Sequence, residues 1–388
     1  MTEPEPRSPS LGTVLREWGR IGCVGFGGPP THIKLLRDLC VERRRWLTPI
    51  EFEDAVAACN LLPGPASTQL AIFCAWRVRG PRGALLGGAA FIVPGLIVIL
   101  ALATLFLSGT PPRAVLAAGA GAGSAVAAVA VHAAAGLLPA SWRRADAAGR
   151  ASRLRWTGYL GAGLVAAATI GPWLVLVLVA CGTVEVTVRL SRGTGGIVPL
   201  PLLAAGPVAA GTLVPLAWVA LKVGALSYGG GFVIIPLMQA DAVDRYHWMS
   251  SAQFLNAVAL GQITPGPVVQ TVAAVGYAAA GLVGGAIASV VAFSPSFAFI
   301  LAGAPRFDRL RGNAAVRAFL DGAGPAAIGA ILGSAITLAR ALSEPWQFAV
   351  LAAAAVVLLV LRRGVVLTLL AAAAGGIVLV ASGLALPH

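Results

Sequence analysis

The chain of 388 residues is 58% hydrophobic and only 11% charged, with a mean hydropathy of +0.85. Soluble domains carry about 25% charged residues, so this composition excludes an ordinary soluble protein. The net charge of +13 does not indicate a nucleic acid partner, because the arginines lie in short segments between apolar runs, as in the positive-inside pattern of a multi-pass membrane protein.

The first half is predicted to contain helices that are interrupted twice. A helix from about Leu11 breaks within residues 25–30, where glycine frees the backbone and proline removes a donor. A basic stretch follows at residues 34–45, and a second helical run, at residues 50–78, breaks at Pro63-Gly64-Pro65. The later apolar runs have about the ~20 residues that a helix needs to cross a bilayer. They predict spans at about 83–108, 114–138, 156–170 and 172–190.

The second half repeats this order after a Gly- and Pro-rich linker at residues 191–207. The linker predicts an N-terminal membrane domain at residues 1–190 and a C-terminal membrane domain at residues 208–388. A helix from about residue 208 breaks at Gly229-Gly230-Gly231, and the next helical run breaks at Pro265-Gly266-Pro267. Spans are predicted near 282–303, 314–339, 345–361 and 364–385, which gives roughly 10 to 13 membrane segments in all.

One segment of the sequence occurs twice. Residues 22–65 align without a gap on residues 224–267, at an offset of 202. The identical pairs include Gly22 and Gly224, Gly27 and Gly229, Gly28 and Gly230, Trp46 and Trp248, Phe52 and Phe254, and the two Pro-Gly-Pro triplets. A match of glycines, prolines and a tryptophan at a single offset is not expected by chance, so the protein consists of two homologous halves.

Loop charges predict that the two halves have opposite orientations. In the first half, arginines crowd the connections at residues 34–45, 77–82 and 143–155. The equivalents of the first two are poor in cations in the second half, where basic residues lie instead at 306–317 and 362–363. Because short basic loops stay cytoplasmic, the halves are expected to form an inverted repeat. One solution is a re-entrant hairpin at the Pro-Gly-Pro triplet, which would bring the first two basic connections to one side. A second re-entrant turn at the Gly-Gly break would change the number of crossings.

The broken helices predict an anion-binding site. Backbone that is broken inside a membrane persists only where protein or a water-filled cavity surrounds it. A helix that restarts after Pro-Gly-Pro presents unpaired N–H groups and the positive end of its dipole, both of which favour an anion. Polar side chains flank both breaks: Asn60 and Gln262 before them, and Thr68, Gln69, Gln270 and Thr271 after them. These side chains are able to bind oxyanion oxygens; alternatively, they only cap the helices.

A matched pair of cations is the next candidate. The same offset places Arg20 on Lys222, each two residues before an equivalent glycine in an apolar helix. A cation at the bilayer centre costs about 2.5 to 3.5 kcal/mol on insertion scales, so both residues are hypothesised to lower the electrostatic cost of binding an anion. Alternatively, each reaches the interface or pairs with a carboxylate. Glu17 lies one turn from Arg20, whereas no acidic residue is near Lys222 in the sequence.

Other polar residues are weaker candidates. Glu185, with Arg189 four residues later, is interpreted as a surface ion pair, and Asp321 as a helix cap. His32 has no histidine counterpart, because the offset places it on Ile234. The sequence contains no HExxH, GxSxG or Walker motif and no CxxC among its five cysteines. The motifs therefore predict neither an enzyme, nor a metal site or cofactor, nor ATP-driven transport.

The paired motifs carry a family resemblance. They are Gly25-Phe-Gly-Gly-Pro and Asn60-Leu-Leu-Pro-Gly-Pro-Ala-Ser-Thr-Gln in the first half, and Tyr228-Gly-Gly-Gly and Gln262-Ile-Thr-Pro-Gly-Pro in the second. With these motifs, the chain resembles the long, two-domain form of the chromate transporter (CHR) family. The resemblance implies a carrier of the bacterial inner membrane that exports chromate and confers resistance to it. The second half lacks the Pro-Pro that follows Gly28, so the two halves are not expected to contribute alike.

Together these observations predict an all-α, inverted-repeat secondary transporter that moves a tetrahedral dianion. The glycines at 27, 28, 229 and 230 are expected to permit close backbone approach and hinge motion. The expected partners are the oxyanion, the lipid bilayer and, in a homo-oligomer, a second copy of the chain. An importer of sulfate or a related oxyanion, an anion channel and a structural membrane scaffold remain as alternatives.

Overall fold

A computed structural model describes residues 9–60, 62–107, 111–169, 174–190, 212–227, 233–303 and 313–387. Within these ranges the chain forms fourteen α-helices and no strand, as predicted for an all-α protein. Four helices are long and apolar enough to cross a membrane. The predicted boundaries between the domains fall in the linker, which lies outside the described residues, so the division of the chain stays a prediction.

The helices follow the same order in each half. The first half contains α1 (Leu11–Val24), α2 (Pro29–Arg37), α3 (Pro49–Cys59), α4 (Ala66–Phe106), α5 (Arg113–Ala147), α6 (Arg150–Thr169) and α7 (Leu174–Leu190). The second contains α8 (Leu213–Leu226), α9 (Ile234–Gln239), α10 (Ser251–Ile263), α11 (Thr271–Gly303), α12 (Ala314–Arg340), α13 (Pro345–Ala355) and α14 (Val365–Ala381). Short π-helical or 3-10 turns extend four of them: Asp38–Arg43 after α2, Ala240–Arg245 after α9, Val268–Gln270 before α11 and Val356–Val360 after α13.

Equivalent sequence signals start equivalent helices. Thr48 caps α3 in a reciprocal capping box with Glu51, and Ser250 caps α10 in the same way with Gln253. The two caps are 202 residues apart, as the sequence repeat requires. The offset therefore relates backbone conformation as well as residue identity.

The α4 helix is two helical arms that are folded against each other. Its backbone leaves the helical region at Arg79 and Gly80, where Gly80 has a φ of 61°, a value that favours glycine. Ala75 packs against Gly83 and Gly87, so the arms are antiparallel. The α11 helix turns in the same way at Gly281, which has a φ of 63°.

The segment around the first Pro-Gly-Pro triplet is re-entrant, as predicted. The α3 helix and the first arm of α4, at residues 66–78, are about 16 and 20 Å long, which is short of the ~30 Å hydrocarbon core. An ion pair between Glu51 and Arg77 joins the start of α3 to the end of that arm. Both ends of the hairpin therefore lie on one side of the membrane.

The chain also folds back at the first Gly-Gly break. The segment after α2 returns alongside α1, so that Arg44 pairs with Glu17 and Trp46 stacks on Trp18 with the ring centroids 6.1 Å apart. The returning segment leads directly into α3. The first half thus begins with two consecutive hairpins that open toward the same side.

The halves have opposite orientations, as the loop charges predicted. The second arms of α4 and α11 pack antiparallel, because Phe297 lies over Gly88 while Leu100 lies over Gly285. Equivalent helices are antiparallel when the axis that relates them lies in the membrane plane. The fold is therefore an inverted repeat.

Cations mark one end of the molecule as cytoplasmic. Following the helices places the connections at residues 44–48, 77–82 and 143–155 at one end, and those at 246–250 and 341–344 at the other. The first set contains ten arginines, whereas the second set contains none within these bounds and is flanked by Arg245 and Arg340. By the positive-inside rule, the arginine-rich end faces the cytoplasm.

The halves exchange their last helices. The pair α6 and α7 packs on α12, whereas α13 and α14 pack on α5. Small residues permit this close approach: Gly163 lies against the backbone of Ala326, and Gly121 lies against Gly376. The packed unit at each side of the molecule is therefore built from both halves of the sequence.

Candidate functional site

The first Pro-Gly-Pro loop packs on the opposite half of the protein. Gly64, with a φ of 119°, lies beside the carbonyl of Gly224 on α8 and the hydroxyl of Ser296 on α11. The Gln69 side chain, from the first turn of α4, closes the loop by donating from Nε2 to the Pro63 carbonyl at 2.7 Å. Pro65 ends the loop and is the residue before α4.

The second Pro-Gly-Pro loop makes the reciprocal contacts. Gly266, with a φ of 88°, donates its N–H to the carbonyl of Gly25 at 3.0 Å, and the Pro265 carbonyl lies against Gly95 of α4. Pro267 then precedes the 3-10 turn that leads into α11. Each broken helix is thus held by the half to which it does not belong.

His32 joins three of the breaks, a role that sequence reasoning missed. Its Nε2 lies 2.9 Å from the Gly25 carbonyl, and its Nδ1 lies 3.2 Å from the Ser67 hydroxyl in the first turn of α4. A carbonyl only accepts, so Nε2 carries the proton and Ser67 donates to Nδ1. The Gly25 carbonyl also receives the Gly266 N–H. The absence of a second-half histidine argued against this residue, although only the first half contains the Ser67 partner.

Several buried polar atoms near the breaks have no partner among the described residues. They are Thr68 Oγ1, Gln69 Oε1, Gln262 Nε2 and Ser296 Oγ. An unsatisfied buried group costs about 1–3 kcal/mol, so such a concentration indicates a site that a polar ligand or water completes. The α4 helix starts at Pro65 without a side-chain cap, so these residues do not cap it as the alternative interpretation required.

Protein partners satisfy two of the three polar side chains of the second half-site, Gln270 and Thr271, whereas Gln262 Nε2 has no partner among the described residues. Gln270 donates to the Ile92 carbonyl at 3.3 Å and accepts from Ser289 at 3.2 Å. Thr271 donates to the Val268 carbonyl at 2.9 Å. The two half-sites are therefore unequal in this conformation, and the first is the open one.

A cavity of about 260 Å³ connects the first half-site to the cytoplasmic end. Gly64 and Asn60, the exposed residue that ends α3, lie at its inner end, and Arg144 lies toward its mouth. Its remaining lining is apolar except for Ser141 and comes mainly from α5 and α12. Arg144 is the one charged residue in the part of the lining that the structure describes.

A second cavity, of about 420 Å³, enters from the opposite end and stops short of the second loop. Asn256 of α10 lines it and lies against Gly119 and Gly123 of α5. No residue of the second Pro-Gly-Pro triplet belongs to its described lining. Among the described residues, the first cavity thus reaches Gly64 of its loop, whereas the second cavity does not reach its Pro-Gly-Pro triplet.

The structure separates the two predicted cations. Lys222 is mostly buried and forms an ion pair with Asp241, whose other carboxylate oxygen has no partner in the described part of the chain. No acidic residue is near Lys222 in the sequence, but the fold brings Asp241 to it, as in the alternative that it pairs with a carboxylate. Arg20 is exposed, and the neighbouring Glu17 pairs with Arg44 instead. Lys222 lies two residues before Gly224, whose carbonyl is beside Gly64, but residues two apart on a helix do not share a face.

The glycines at the first Gly-Gly break have positive φ angles. The values are 97° at Gly27 and 75° at Gly28, and Gly28 is buried beside Val268. A side chain would strain either position. The predicted residues Gly229 and Gly230 lie outside the described residues.

Two acidic residues form a network at the cytoplasmic end. The predicted pair of Glu185 with Arg189 is present at 2.7 Å, but Glu185 is buried and also accepts from Arg155 at 2.7 Å, so its carboxylate is not on the helix surface. Asp321 is not a helix cap, because Asn313 caps α12. Asp321 instead pairs with Arg144 at 3.3 Å and Arg189 at 2.9 Å.

Comparison with known proteins identifies relatives over most of the chain. The sequence model of the chromate transporter family matches residues 12–186 and 214–377. The chain is 33% identical to the chromate transport protein of Cupriavidus metallidurans, covering 83% of this chain and 80% of the relative. It is 29% identical to the chromate transport protein of Pseudomonas aeruginosa, covering 88% and 84%, and 28% identical to the probable chromate transport protein of Synechococcus elongatus, covering 85% of each. No solved structure matches the chain.

Proposed function

The chain belongs to the chromate transporter family, and we propose that it exports chromate from the cytoplasm across the inner membrane and so confers chromate resistance. The observation that carries the proposal is the cavity that leads from the cytoplasmic end to Gly64, a residue beside Gln69 and Ser296, each of which has a buried polar atom without a partner among the described residues. Such a cavity gives an oxyanion access from the side from which export begins.

The first half-site has the chemistry of a tetrahedral oxyanion site. The hydroxyls of Thr68 and Ser296 are able to donate to oxyanion oxygens, and the first turn of α4 presents its N–H groups and its positive dipole end. Asn60 and Gln69 provide side-chain amides beside the same loop. These donors carry no formal charge, so they bind the anion weakly enough for it to be released.

Lys222 is the proposed positive charge on α8, the helix whose Gly224 carbonyl lies beside Gly64. Its ion pair with Asp241 lowers the cost of keeping a cation within the membrane. The exposed Arg20 has no such position, so the electrostatic part of the proposal rests on Lys222.

Alternating access follows from the inverted repeat. The equivalent site in the second half, with Gln262, Gln270 and Thr271 around the second triplet, is closed in this conformation. Moving α10 away from α5 would open it to the outside, while the first hairpin closes the cytoplasmic cavity. The Gly-Gly breaks at 27–28 and 229–230 are the proposed hinges.

A sulfate transporter is the second candidate, because hydrogen-bond donors around an uncharged loop suit any tetrahedral dianion. An anion channel has less support, since the two cavities are separated by packed protein at Asn256. Competition by sulfate distinguishes a chromate transporter from a sulfate transporter, and saturable flux distinguishes a carrier from a channel.

The test is chromate uptake into inside-out vesicles, with the membrane potential and the pH gradient imposed separately. We expect saturable uptake that a positive interior accelerates, because the substrate is a dianion. Vesicles without the protein provide the control. Absence of saturable chromate uptake would reject chromate as the substrate. Chromate uptake that a low concentration of sulfate abolishes, together with transport of sulfate itself, would also reject it.

A further inference from the structure

Arg144 occupies the boundary between the cytoplasmic cavity and the ion-pair network. It is the one charged residue in the described lining of the cavity, and its side chain is 56% exposed. Its single contact in the network runs from Nε to Asp321 at 3.3 Å. Among the described residues, its terminal guanidinium nitrogens have no hydrogen-bond partner. A pair of parallel donors therefore remains available at the mouth of the cavity.

The network carries an excess of positive charge. Three arginines, at 144, 155 and 189, face two carboxylates, Glu185 and Asp321, so the sum is one positive charge. Glu185 is saturated by Arg155, Arg189 and the hydroxyl of Tyr159 at 3.1 Å. Asp321 divides its oxygens between Arg189 and Arg144, and its contact with Arg144 is the longer one. Arg144 is thus the least firmly held cation of the network.

Ser141 provides a second donor on the same face of α5. It lies three residues before Arg144 and lines the cavity, so both side chains point the same way. Its hydroxyl oxygen accepts a hydrogen bond from the Trp156 indole at 2.9 Å. Because that bond uses a lone pair of the oxygen, the hydroxyl proton is free to be donated into the cavity.

We propose that Arg144 and Ser141 form a capture site for the tetrahedral dianion at the cytoplasmic mouth, separate from the half-site at Gly64. The guanidinium binds two oxyanion oxygens in parallel, and Ser141 binds a third. Asp321 holds Arg144 while the site is empty and is displaced when the anion arrives. This inference rests on the proposed function, because it concerns the route by which the same substrate enters.

The arrangement predicts changes of opposite sign at two residues in contact. Removing the guanidinium removes the capture site, whereas removing the Asp321 charge removes its competitor and a repulsion for the anion. In inside-out vesicles, we expect Arg144→Gln to raise the KM for chromate about tenfold or more and to change kcat little. We expect Asp321→Asn to lower the KM. Arg144→Lys, which keeps the charge without the fork, should lie between wild type and Arg144→Gln.

Arg143 provides the matched control. It is the preceding residue of α5, it is exposed, and it does not line the cavity. Arg143→Gln removes the same charge from the same loop and should leave the KM at the wild-type value. An equal rise in KM for both glutamine variants would mean that only the overall surface charge matters, and this would overturn the capture site.

The outcomes separate this inference from the proposed function. If wild-type vesicles accumulate no chromate, the proposed function fails. If they do accumulate it and Arg144→Gln has the wild-type KM, the capture site fails while the function stands. Misfolding is unable to produce the lower KM expected of Asp321→Asn, so an unchanged or higher KM in that folded variant also overturns the inference.

Discussion

The backbone N–H of Gly266 donates to the carbonyl of Gly25 at 3.0 Å, and this bond joins a break in one half to a break in the other. His32 donates to the same carbonyl and accepts from Ser67, which begins the other re-entrant arm of its own half. Because both loops are linked to the Gly25 carbonyl, a displacement of either loop changes the contacts of the other. This link would couple the two halves in the proposed rocking motion.

Replacing His32 should uncouple the breaks. His32→Leu leaves the Ser67 hydroxyl without its acceptor, which costs about 1–3 kcal/mol when the group stays buried. We expect a lower unfolding temperature in detergent and a kcat for chromate that falls more than the KM changes. His32→Gln, which retains a donor and an acceptor, should recover part of both. Wild-type stability and rate in His32→Leu would contradict the role of this residue.

The Lys222–Asp241 pair separates structure from transport. Lys222→Ala leaves a buried carboxylate without its partner, which typically destabilises by about 3–5 kcal/mol. The double variant Lys222→Ala/Asp241→Ala should recover much of that stability, because neither charge remains. We expect its chromate uptake to stay low, since the cation near Gly224 is missing.

The corresponding residue of the first half is the control for this experiment. Arg20→Ala removes a cation at the equivalent sequence position, but from an exposed surface. We expect nearly wild-type stability and uptake. Full uptake by the Lys222/Asp241 double variant would show that this pair serves the fold alone.

The unsatisfied hydroxyl of Thr68 should matter more to substrate than to stability. Thr68→Val preserves the shape and removes a buried group that lacks a partner, so the unfolding temperature should stay the same or rise. The KM for chromate on the cytoplasmic side should increase by about three- to tenfold, the value of one hydrogen bond. Thr271→Val, which loses a bond to the Val268 carbonyl, should show the reverse pattern. An unchanged KM in Thr68→Val would exclude its hydroxyl from the site.

The contact between α10 and α5 should govern opening toward the outside. A Cβ at Gly123 would lie 3.2 Å from Asn256 and from the Leu255 side chain, so Gly123→Val should push α10 away. We expect an Ala120→Cys probe in the outer cavity to react faster with an impermeant thiol reagent in that variant. The background carries Cys23→Ser, because Cys23 is exposed.

Gly136 supplies the control for this probe. It lies on the same helix, and a Cβ added there would meet no described atom within 4 Å, so Gly136→Val changes helix propensity without a clash. The reactivity of the probe should stay at its starting value. Equal reactivity in both valine variants would mean that α10 does not close the outer cavity.

The architecture was predictable because its signals are local. Glycine and proline at the breaks, capping residues such as Thr48 and Ser250, and arginines in short loops act through nearby backbone or through the membrane. These signals predicted the two halves, their opposite orientation and the re-entrant segment. The offset of 202 residues then carried each feature from one half to the other.

The site was less predictable because its partners come from distant segments. Equivalence by offset treats Thr68 and Gln69 as equal to Gln270 and Thr271, yet only the second pair is satisfied. The difference comes from Ser289 and the Ile92 carbonyl, which local patterns do not connect to either loop. The acidic partner of Lys222 was not predictable for the same reason, since Asp241 reaches Lys222 only after the chain folds back.

Because helices of one half pack on helices of the other, some contacts form only late in the synthesis of the protein. During synthesis, α6 and α7 enter the membrane well before α12, the helix on which they pack, has been made. The helix α5 packs on α12, α13 and α14, and α14 is the last of these to be synthesised. The early helices must therefore persist in the bilayer as a provisional assembly, and a chain that stops short of α14 would leave the small-residue face of α5 open to lipid or to a membrane chaperone.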